Sequence, residues 1–405
     1  MLDNKTITIL KSTVPILKES GRVLVDYFYK RMFAHNPEVL EIFNENNQNG
    51  TQQQALTNAI LSYASNIENL VVLNNAIDLI NNKHASLGIK PEHYPIVGKH
   101  IIASIKEVLK NDATDDTIDA WTKAYQLLAQ IFIDKENNIY QSQKKIKGGW
   151  NGFKTFYIAD KVKENNLITS FYLKPQDNVI LPVYKAGQYI TIRVKNNSHK
   201  SETTMRNYSL SDKANENCFR ISIKKDQQSG YVSNLLHDKF NINDTIEIAP
   251  PCGNFFLDLE KLGNSNLTLI AGGVGVTPIM SMLLFALENL SINQQITFIY
   301  CNTYNNHAFK KTINDLSNKY SNLKVYYRYD KLIDNNISKI AENESIGYID
   351  IDFINNVIPE ILNNHYYFCG PKVFMINLYK ILKNLNISKN NINFEFFGPR
   401  EAIED

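Results

Sequence analysis

The chain has 405 residues, which at about 150 residues per domain implies two or three domains and excludes a single small module. Hydrophobic residues make up 43% and charged residues 21%, and no apolar run approaches the roughly 18 residues a membrane-spanning helix requires, so the sequence reads as soluble and globular. Lys and Arg total 43 against 41 Asp and Glu, a formal +2 scattered along the chain. No face is basic enough to draw nucleic acid or anionic lipid, and small molecules are the expected partners.

The opening segment MLDNKTITILKSTVPILKES is charged throughout, with neither an apolar h-region nor a small-residue cleavage site, and reads as untargeted and cytoplasmic. Cys218, Cys252, Cys301 and Cys369 lie far apart without a CxxC pair, which disfavours a disulfide framework, a zinc site and a cysteine-ligated cluster.

Residues 1–140 show apolar residues recurring at three and four, sparse Gly, and breaks at His35-Asn36-Pro37 and Lys90-Pro91, the pattern of an all-α domain. Residues 141–150, QSQKKIKGGW, are polar and basic, end in Gly148-Gly149-Trp150, and read as a linker. Residues 151–262 hold short alternating or β-branched runs (153–159, 167–174, 189–194, 219–223 and 245–248), the grammar of an antiparallel β-barrel. In residues 263–405 short apolar strands (267–270, 297–300, 324–328 and 366–369) alternate with helical stretches at 279–290 and 372–385, which predicts an α/β parallel sheet.

In the helical region His84 shares a stripe with Ile77, Ile80 and Leu87, so its imidazole points inward. Burial alone asks only for a satisfied polar group, so a metal ligand and a core histidine bonded to a carbonyl both fit. On the last helix Trp121, Tyr125, Leu128, Phe132, Glu136 and Tyr140 form one stripe, placing a carboxylate on an apolar face. Such a group needs a partner, and a ligating imidazole needs an acceptor for its free N–H; Glu136 is that acceptor, with Tyr94 as a further link, or else it lies at the stripe's edge and reaches water.

The segments DYFYKRMFAHNPEVLEIFN, ALTNAILSYASNIENL, KHASLGIKPEHYPIVGKH and AWTKAYQLLAQIFI resemble the globin domain of bacterial and yeast flavohaemoglobins, and the resemblance extends over the whole chain. It implies that His84 is the proximal haem ligand, backed by Tyr94 and Glu136 with Lys83 beside it, and that Tyr29, Gln52 and Leu56 line the distal pocket with Phe43 wedged against the porphyrin. A tyrosine hydroxyl such as that of Tyr29 suits a partly anionic iron-bound dioxygen, and equally serves as an ordinary core tyrosine.

Beyond the linker, Gly187-Gln188-Tyr189 precedes Arg206-Asn207-Tyr208-Ser209 at the spacing of two neighbouring strands. A guanidinium beside a hydroxyl suits a phosphate, and Tyr208 offers a flat face to a flavin ring. Gly230-Tyr231-Val232-Ser233 leads into a helix whose free N–H groups suit a pyrophosphate. Taken singly these pieces are also ordinary barrel turns; their order is similar to that of ferredoxin-reductase-like flavoproteins, where RxYS is a flavin motif. Further on, Leu267–Ile270 runs into Ala271-Gly272-Gly273-Val274-Gly275-Val276-Thr277-Pro278, a strand, glycine turn and helix in which Thr277 is placed to cap and Pro278 fits the first turn. The third glycine of GxGxxG and the GK[ST] of a P-loop are both missing. Phe368-Cys369-Gly370-Pro371 resembles the turn that lies near the nicotinamide in that reductase family. Glu395-Phe396-Phe397-Gly398-Pro399 resembles its terminal aromatic segment beside the flavin, with Phe396 where the family commonly has Cys.

The resemblance thus implies haem b, FAD and NAD(P)H as cofactors, O2 and nitric oxide as partners, a monomer, and nitric oxide dioxygenase activity. The order of domains is consistent with it, because a nicotinamide gives electrons in pairs and haem iron accepts them singly, with flavin as the converter. The alternatives are an O2 or NO sensor or store kept ferrous by its own reductase, and a flavin-dependent reductase of another acceptor.

Overall fold

The computed structural model describes residues 2–43, 50–195, 203–227, 230–304, 306–330 and 341–397. α1 (Asn4–His35) starts at Asp3, whose carboxylate accepts from the Thr6 amide at 2.8 Å, and ends at Asn36-Pro37, where the pre-proline restriction disfavours a further helical turn. α2 (Thr51–Ser65), α3 (Asn74–Leu87) and α4 (His93–Leu109) follow. α3 stops on Gly88, whose φ of 72° is the left-handed conformation that closes helices. α5 (Asp115–Lys145) has Thr114 as its cap, Asp115 and Asp116 in its first turn and Lys144 and Lys145 in its last, charges that match the helix dipole. Trp121 and Ala124 of α5 bury against Leu24, Val25 and Phe28 of α1, at about 2 kcal/mol for each large side chain fully removed from water.

The expected linker 141–150 is half helix. α5 runs on through Lys145 because Gln143 is buried against the next domain, its Nε2 donating to the Pro251 carbonyl at 3.3 Å and to Cys252 Sγ at 3.0 Å. The break is confined to 146–150, where a Cβ on Gly149 would sit 1.9 Å from the Gln143 carbonyl oxygen.

The second region is an antiparallel sheet of β1 (Lys154–Lys163), β2 (Ile168–Pro175), β3 (Tyr189–Lys195), β4 (Thr203–Ser209), β5 (Phe219–Lys224) and β6 (Thr245–Ile248), in the order β4-β3-β6-β1-β2-β5. A bridge between Leu210 and Ile221 brings the two edges together. Ile158, Phe171, Ile190, Ile192, Phe219 and Ile248 fill the interior, and α6 (Tyr231–Asp238) adds Val232 and Leu236 to it. A single turn, α7 (Leu259–Leu262), leads out.

The third region alternates β7 (Asn266–Gly272), α8 (Val276–Asn289), β8 (Ile296–Asn302), α9 (Lys310–Lys319), β9 (Leu323–Tyr329), β10 (Glu344–Ile346), α10 (Ile351–Val357), β11 (Asn364–Cys369), α11 (Lys372–Asn384) and β12 (Ile392–Glu395). All pairings are parallel and the order is β10-β9-β8-β7-β11-β12. The order reverses at β7, so the turns after β7 and β11 flank a topological switch point, where open α/β sheets bind ligands.

His307, just after β8, is buried among Tyr300, Tyr327 and Tyr329, with ring centroids 4.5, 5.2 and 5.1 Å away. Its Nε2 donates to the Tyr300 carbonyl at 3.1 Å, while Nδ1 has no partner. Burial therefore holds the imidazole neutral, pushing its pKa from 6.5 to about 4. The unfolded chain binds this proton first as pH falls, so stability is full above about 6.5 and is lost towards pH 4, by about 3 kcal/mol from this group. Urea midpoints at pH 7 and pH 4.5 should show His307→Gln less acid-sensitive than the parent; equal pH slopes would exclude this role for the histidine.

Candidate functional site

α3 and α5 set the first cluster. His84 Nδ1 lies 2.8 Å from Glu136 Oε1, and the Tyr94 hydroxyl, brought by α4, donates to the same oxygen at 2.5 Å. Glu136 is 2% exposed, so the stripe does carry a buried carboxylate with its partners supplied. A carboxylate only accepts, which places the imidazole proton on Nδ1 and leaves the Nε2 lone pair for a metal. Burial, then the bond to Glu136, raises the Tyr94 phenol and keeps it a donor. The His84 side chain itself is 31% exposed although its neighbours Ala85 and Ser86 are buried, so its imidazole borders open space.

The distal candidates come from α1 and α2. Tyr29 is buried, with Phe28, Phe33 and Phe43 at ring centroids of 5.0, 5.7 and 5.6 Å, and its side chain hydrogen-bonds Gln52. Burial raises its phenol, which stays protonated. Leu56 packs partly buried against the same cluster. The expected pocket residues are thus brought together around an apolar wall with one hydroxyl donor, a surface that fits a planar hydrophobic macrocycle ligated from His84.

In the barrel, antiparallel register pairs Tyr189 with Ser209, Thr191 with Asn207 and Ile192 with Arg206. The pleat therefore splits the motif: Arg206 and Tyr208 share the face of Ile190 and Ile192, whereas Tyr189, Asn207 and Ser209 share the other, on which Thr191 donates to Asn207 Oδ1 at 3.1 Å. The second face meets α3, where Asn207 Nδ2 donates to Ser86 Oγ at 3.4 Å and the Gly253 amide to Asn82 Oδ1 at 3.1 Å. Residues two before and two after His84 thus dock on the barrel. Gly230 caps α6, and a Cβ there would meet Asp226 Cβ at 2.3 Å. The Ser233 hydroxyl donates back to the Gly230 carbonyl at 3.1 Å and the Val232 side chain is spent on the core, so Val232 offers a ligand only its backbone.

β12 pairs with β11 so that Glu395 lies beside Cys369. Phe394 stacks on Phe368, Phe396 packs partly buried against the same cluster, and Phe397 is half exposed. Gly398 and Pro399 lie outside the described residues. Lys83 feels the charges of both Glu395 and Arg206, so one charged group from each region comes together there. Enclosure pushes the Lys83 ammonium down to about 8 against the pull of Glu395, and pushes Glu395 up to about 8 against the pull of Lys83. Lys83 is nonetheless open to solvent and Glu395, Tyr189, Arg206 and Tyr208 are partly so; groups enclosed by protein yet reachable by water line a cleft, here one walled by all three regions.

At the switch point Gly273 has φ 54° with open space around its Cβ position, and a Cβ on Gly275 would sit 2.1 Å from the Cys369 carbonyl oxygen. A Cβ on Gly370 would lie 3.0 Å from the Gly272 Cα, a second though looser approach. The turns 272–275 and 369–371 therefore close on each other as glycine-only surfaces, and Pro371 bounds them. Thr277 does not cap: α8 begins at Val276, and the Thr277 hydroxyl donates to the Val274 carbonyl at 3.1 Å. Val276 and Thr277 are buried, so it is the bare backbone at 273–275 that suits a diphosphate.

Three family models match in the order of the three regions: globin over residues 26–132, oxidoreductase FAD-binding domain over 157–257 and oxidoreductase NAD-binding domain over 269–380. A flavohemoprotein of Oceanobacillus iheyensis is 41% identical over 408 residues, covering 100% of this chain and 98% of that protein. The chain belongs to the flavohemoprotein family. One of its members in Bacillus subtilis is 41% identical over 406 residues, again covering 100% of this chain and 99% of the relative. Among solved structures, a flavohemoglobin from Malassezia yamatoensis with bound FAD and heme superposes with a TM-score of 0.84 at 26% identity, covering 98% of this chain and 100% of that one. The flavohem-like FAD/NAD-binding domain of a nitric oxide dioxygenase from Vibrio cholerae gives 0.54 at 28% identity over 61% of this chain and 99% of that one. Haem, FAD and a nicotinamide dinucleotide are accordingly the family's cofactors, and the three sites described have the donors, flat aromatic walls and glycine surfaces they need. No described helix is long and apolar enough to cross a membrane, and the four cysteines are free.

Asn82, Ser86, Glu41 and Arg193 escaped the sequence reading. Each is an ordinary polar residue, and its partner in the neighbouring domain lies more than a hundred residues away.

Arg206 supports a direct prediction. Its Nη1 donates to Thr204 Oγ1 and to the Met205 carbonyl at 3.1 and 2.7 Å, which holds the guanidinium against β4 while the side chain stays partly open to solvent. Arg206→Ala should lower the FAD retained on purification by about tenfold, the cost of a charge-assisted phosphate contact; unchanged FAD content would exclude the phosphate role.

Proposed function

We propose that the chain is an NAD(P)H-dependent nitric oxide dioxygenase, converting NO and O2 to nitrate, and that it serves NO detoxification. When bound, the cofactors supply hydride acceptance, division of the electron pair and O2 activation. The observation that carries this reading is the Glu136 carboxylate behind His84 in the same chain as a complete reductase. An imidazole hydrogen-bonded to a buried carboxylate is a stronger donor than a lone one, a feature that would suit a haem used for chemistry and exceeds what reversible storage requires.

In this reading His84 ligates through Nε2, and Glu136 and Tyr94 hold its Nδ1 proton. Tyr29, oriented by Gln52, would supply the hydroxyl donor on the side facing His84, from which Phe43 and Leu56 would exclude water. Lys83 immediately precedes His84 on the same helix. Tyr189, Arg206, Asn207, Tyr208 and Ser209, the 230–233 turn and the 395–397 strand end hold FAD; the 272–277 and 369–371 turns hold the dinucleotide.

The test is an anaerobic spectrum of purified protein, then NADH, then O2 and NO with an NO electrode. Flavin bleaching, haem reduction and NO loss that requires O2 are the expected sequence. Haem that reduces and binds O2 while NO persists would favour a sensor or storage globin instead.

A further inference from the structure

The β3–β4 pair that carries Tyr189, Arg206, Asn207, Tyr208 and Ser209 also reaches a second part of the helical domain. Arg193, four residues after Tyr189 on β3, forms a two-point ion pair with Glu247 of β6, Nε to Oε2 and Nη2 to Oε1 at 2.9 Å each. Its guanidinium lies 4.1 Å above the Phe153 ring. These contacts fix the side chain within the barrel. Its remaining nitrogen, Nη1, is 3.7 Å from Oε1 of Glu41, and Thr203, at the start of β4, donates its hydroxyl to that same oxygen. Glu41 ends the single 3-10 turn Pro37–Glu41, two residues before Phe43, whose ring packs on Tyr29. The same strand pair holds α3 through Asn207 and Ser86.

We propose that Arg193, with Thr203, is a positioning device that clamps the Glu41 corner of the globin to the flavin-bearing strands, and so holds haem and flavin at a fixed separation for internal electron transfer. This rests on the cofactor circuit proposed above. The step it governs takes one electron from reduced flavin to ferric haem, oxidising the one and reducing the other; no bond forms or breaks. Its rate falls steeply with separation, so the Glu41 contact, made from a different element than those of Asn82, Ser86 and Gln143, suppresses a rocking motion about them. The Glu41 contact is part-exposed and ionic and is therefore weakened by salt, whereas the barrel-internal Glu247 pair keeps Arg193 in place when Glu41 is changed.

The experiment uses the haem- and FAD-loaded full chain. Glu41→Gln, an isosteric change at a part-exposed site, and Glu41→Gln combined with Thr203→Val are mixed with NADH under CO. Flavin bleaching and ferrous–CO formation are followed separately, and hydrogen exchange is measured over 39–42 and 191–195. Flavin should bleach at the parent rate, and CO should bind the dithionite-reduced variants normally. Ferrous–CO formation after NADH should slow by roughly threefold or more, the size of a partly exposed ion pair with its hydrogen bond. High salt should slow the parent towards the variants while leaving them unchanged, and exchange should rise at both segments. Haem reduction within twofold of the parent in the double variant, or an altered CO-binding rate that puts Glu41's effect in the haem pocket, overturns the proposal. Failure of the parent itself to reduce haem would instead refute the circuit, and the exchange measurement would still report on the clamp.

Discussion

His84→Ala should purify with its flavin but without a Soret band, and NADH should still bleach that flavin. No imidazole stands ready in the described pocket to replace the lost donor: Tyr94 and Glu136 are tied to each other behind His84 at 2.5 Å, and the facing wall of aromatic and aliphatic side chains offers only the Tyr29 hydroxyl and the Gln52 amide bonded to it. Loss of a residue that merely orients a ligand costs about ten- to a hundredfold in affinity, so loss of the ligand itself should lower haem content by roughly tenfold or more. The variant also leaves a buried carboxylate with only the Tyr94 hydroxyl to satisfy it, so a drop in thermal stability should accompany the loss. A haem spectrum like the parent's would remove His84 as the ligand, whatever the stability.

The second large effect is steric. In Gly275→Ala the new methyl would lie 2.1 Å from the Cys369 carbonyl oxygen and 2.7 Å from the Gly370 nitrogen, both backbone atoms, at a turn whose first residue is fully buried. Relief requires β7 and β11 to part at the switch point, at a cost of about 3 kcal/mol. Gly273→Ala, two residues earlier, meets nothing within 4 Å and pays only for its φ of 54°, about 1 kcal/mol. Melting curves and NADH-driven flavin bleaching should therefore separate the pair, with Gly275→Ala losing both stability and dinucleotide use while haem and flavin spectra persist. Equal melting temperatures for the two variants would contradict this close approach of the turns.

Periodicity made much of this architecture legible. Glu136 could be placed on an apolar stripe, and the strand–glycine turn–helix at 267–290 could be read with ends within a few residues of those observed, because local pattern there agrees with tertiary burial. The polar run at 141–145 misled for the opposite reason: Gln143 is buried by residues of another domain, and nothing in its neighbourhood encodes that. Thr277 has the composition of a cap, but the backbone turns one residue too early for its hydroxyl to accept. Likewise the two faces of Arg206–Ser209 follow from pairing with β3, a register no short motif contains.

The reach of α5 into the barrel also shapes how the molecule comes apart. One helix contributes Trp121 to the first hydrophobic core and Gln143 to the surface beside Cys252, so fraying at its C-terminal end disturbs both. Through this contact the unfolding of the first two regions should be coupled, a link that coincident melting transitions followed by separate probes would register. Severing the chain at residue 140 would part Gln143 from the helix that carries it, so the surface beside Cys252 should become more exposed in the second fragment.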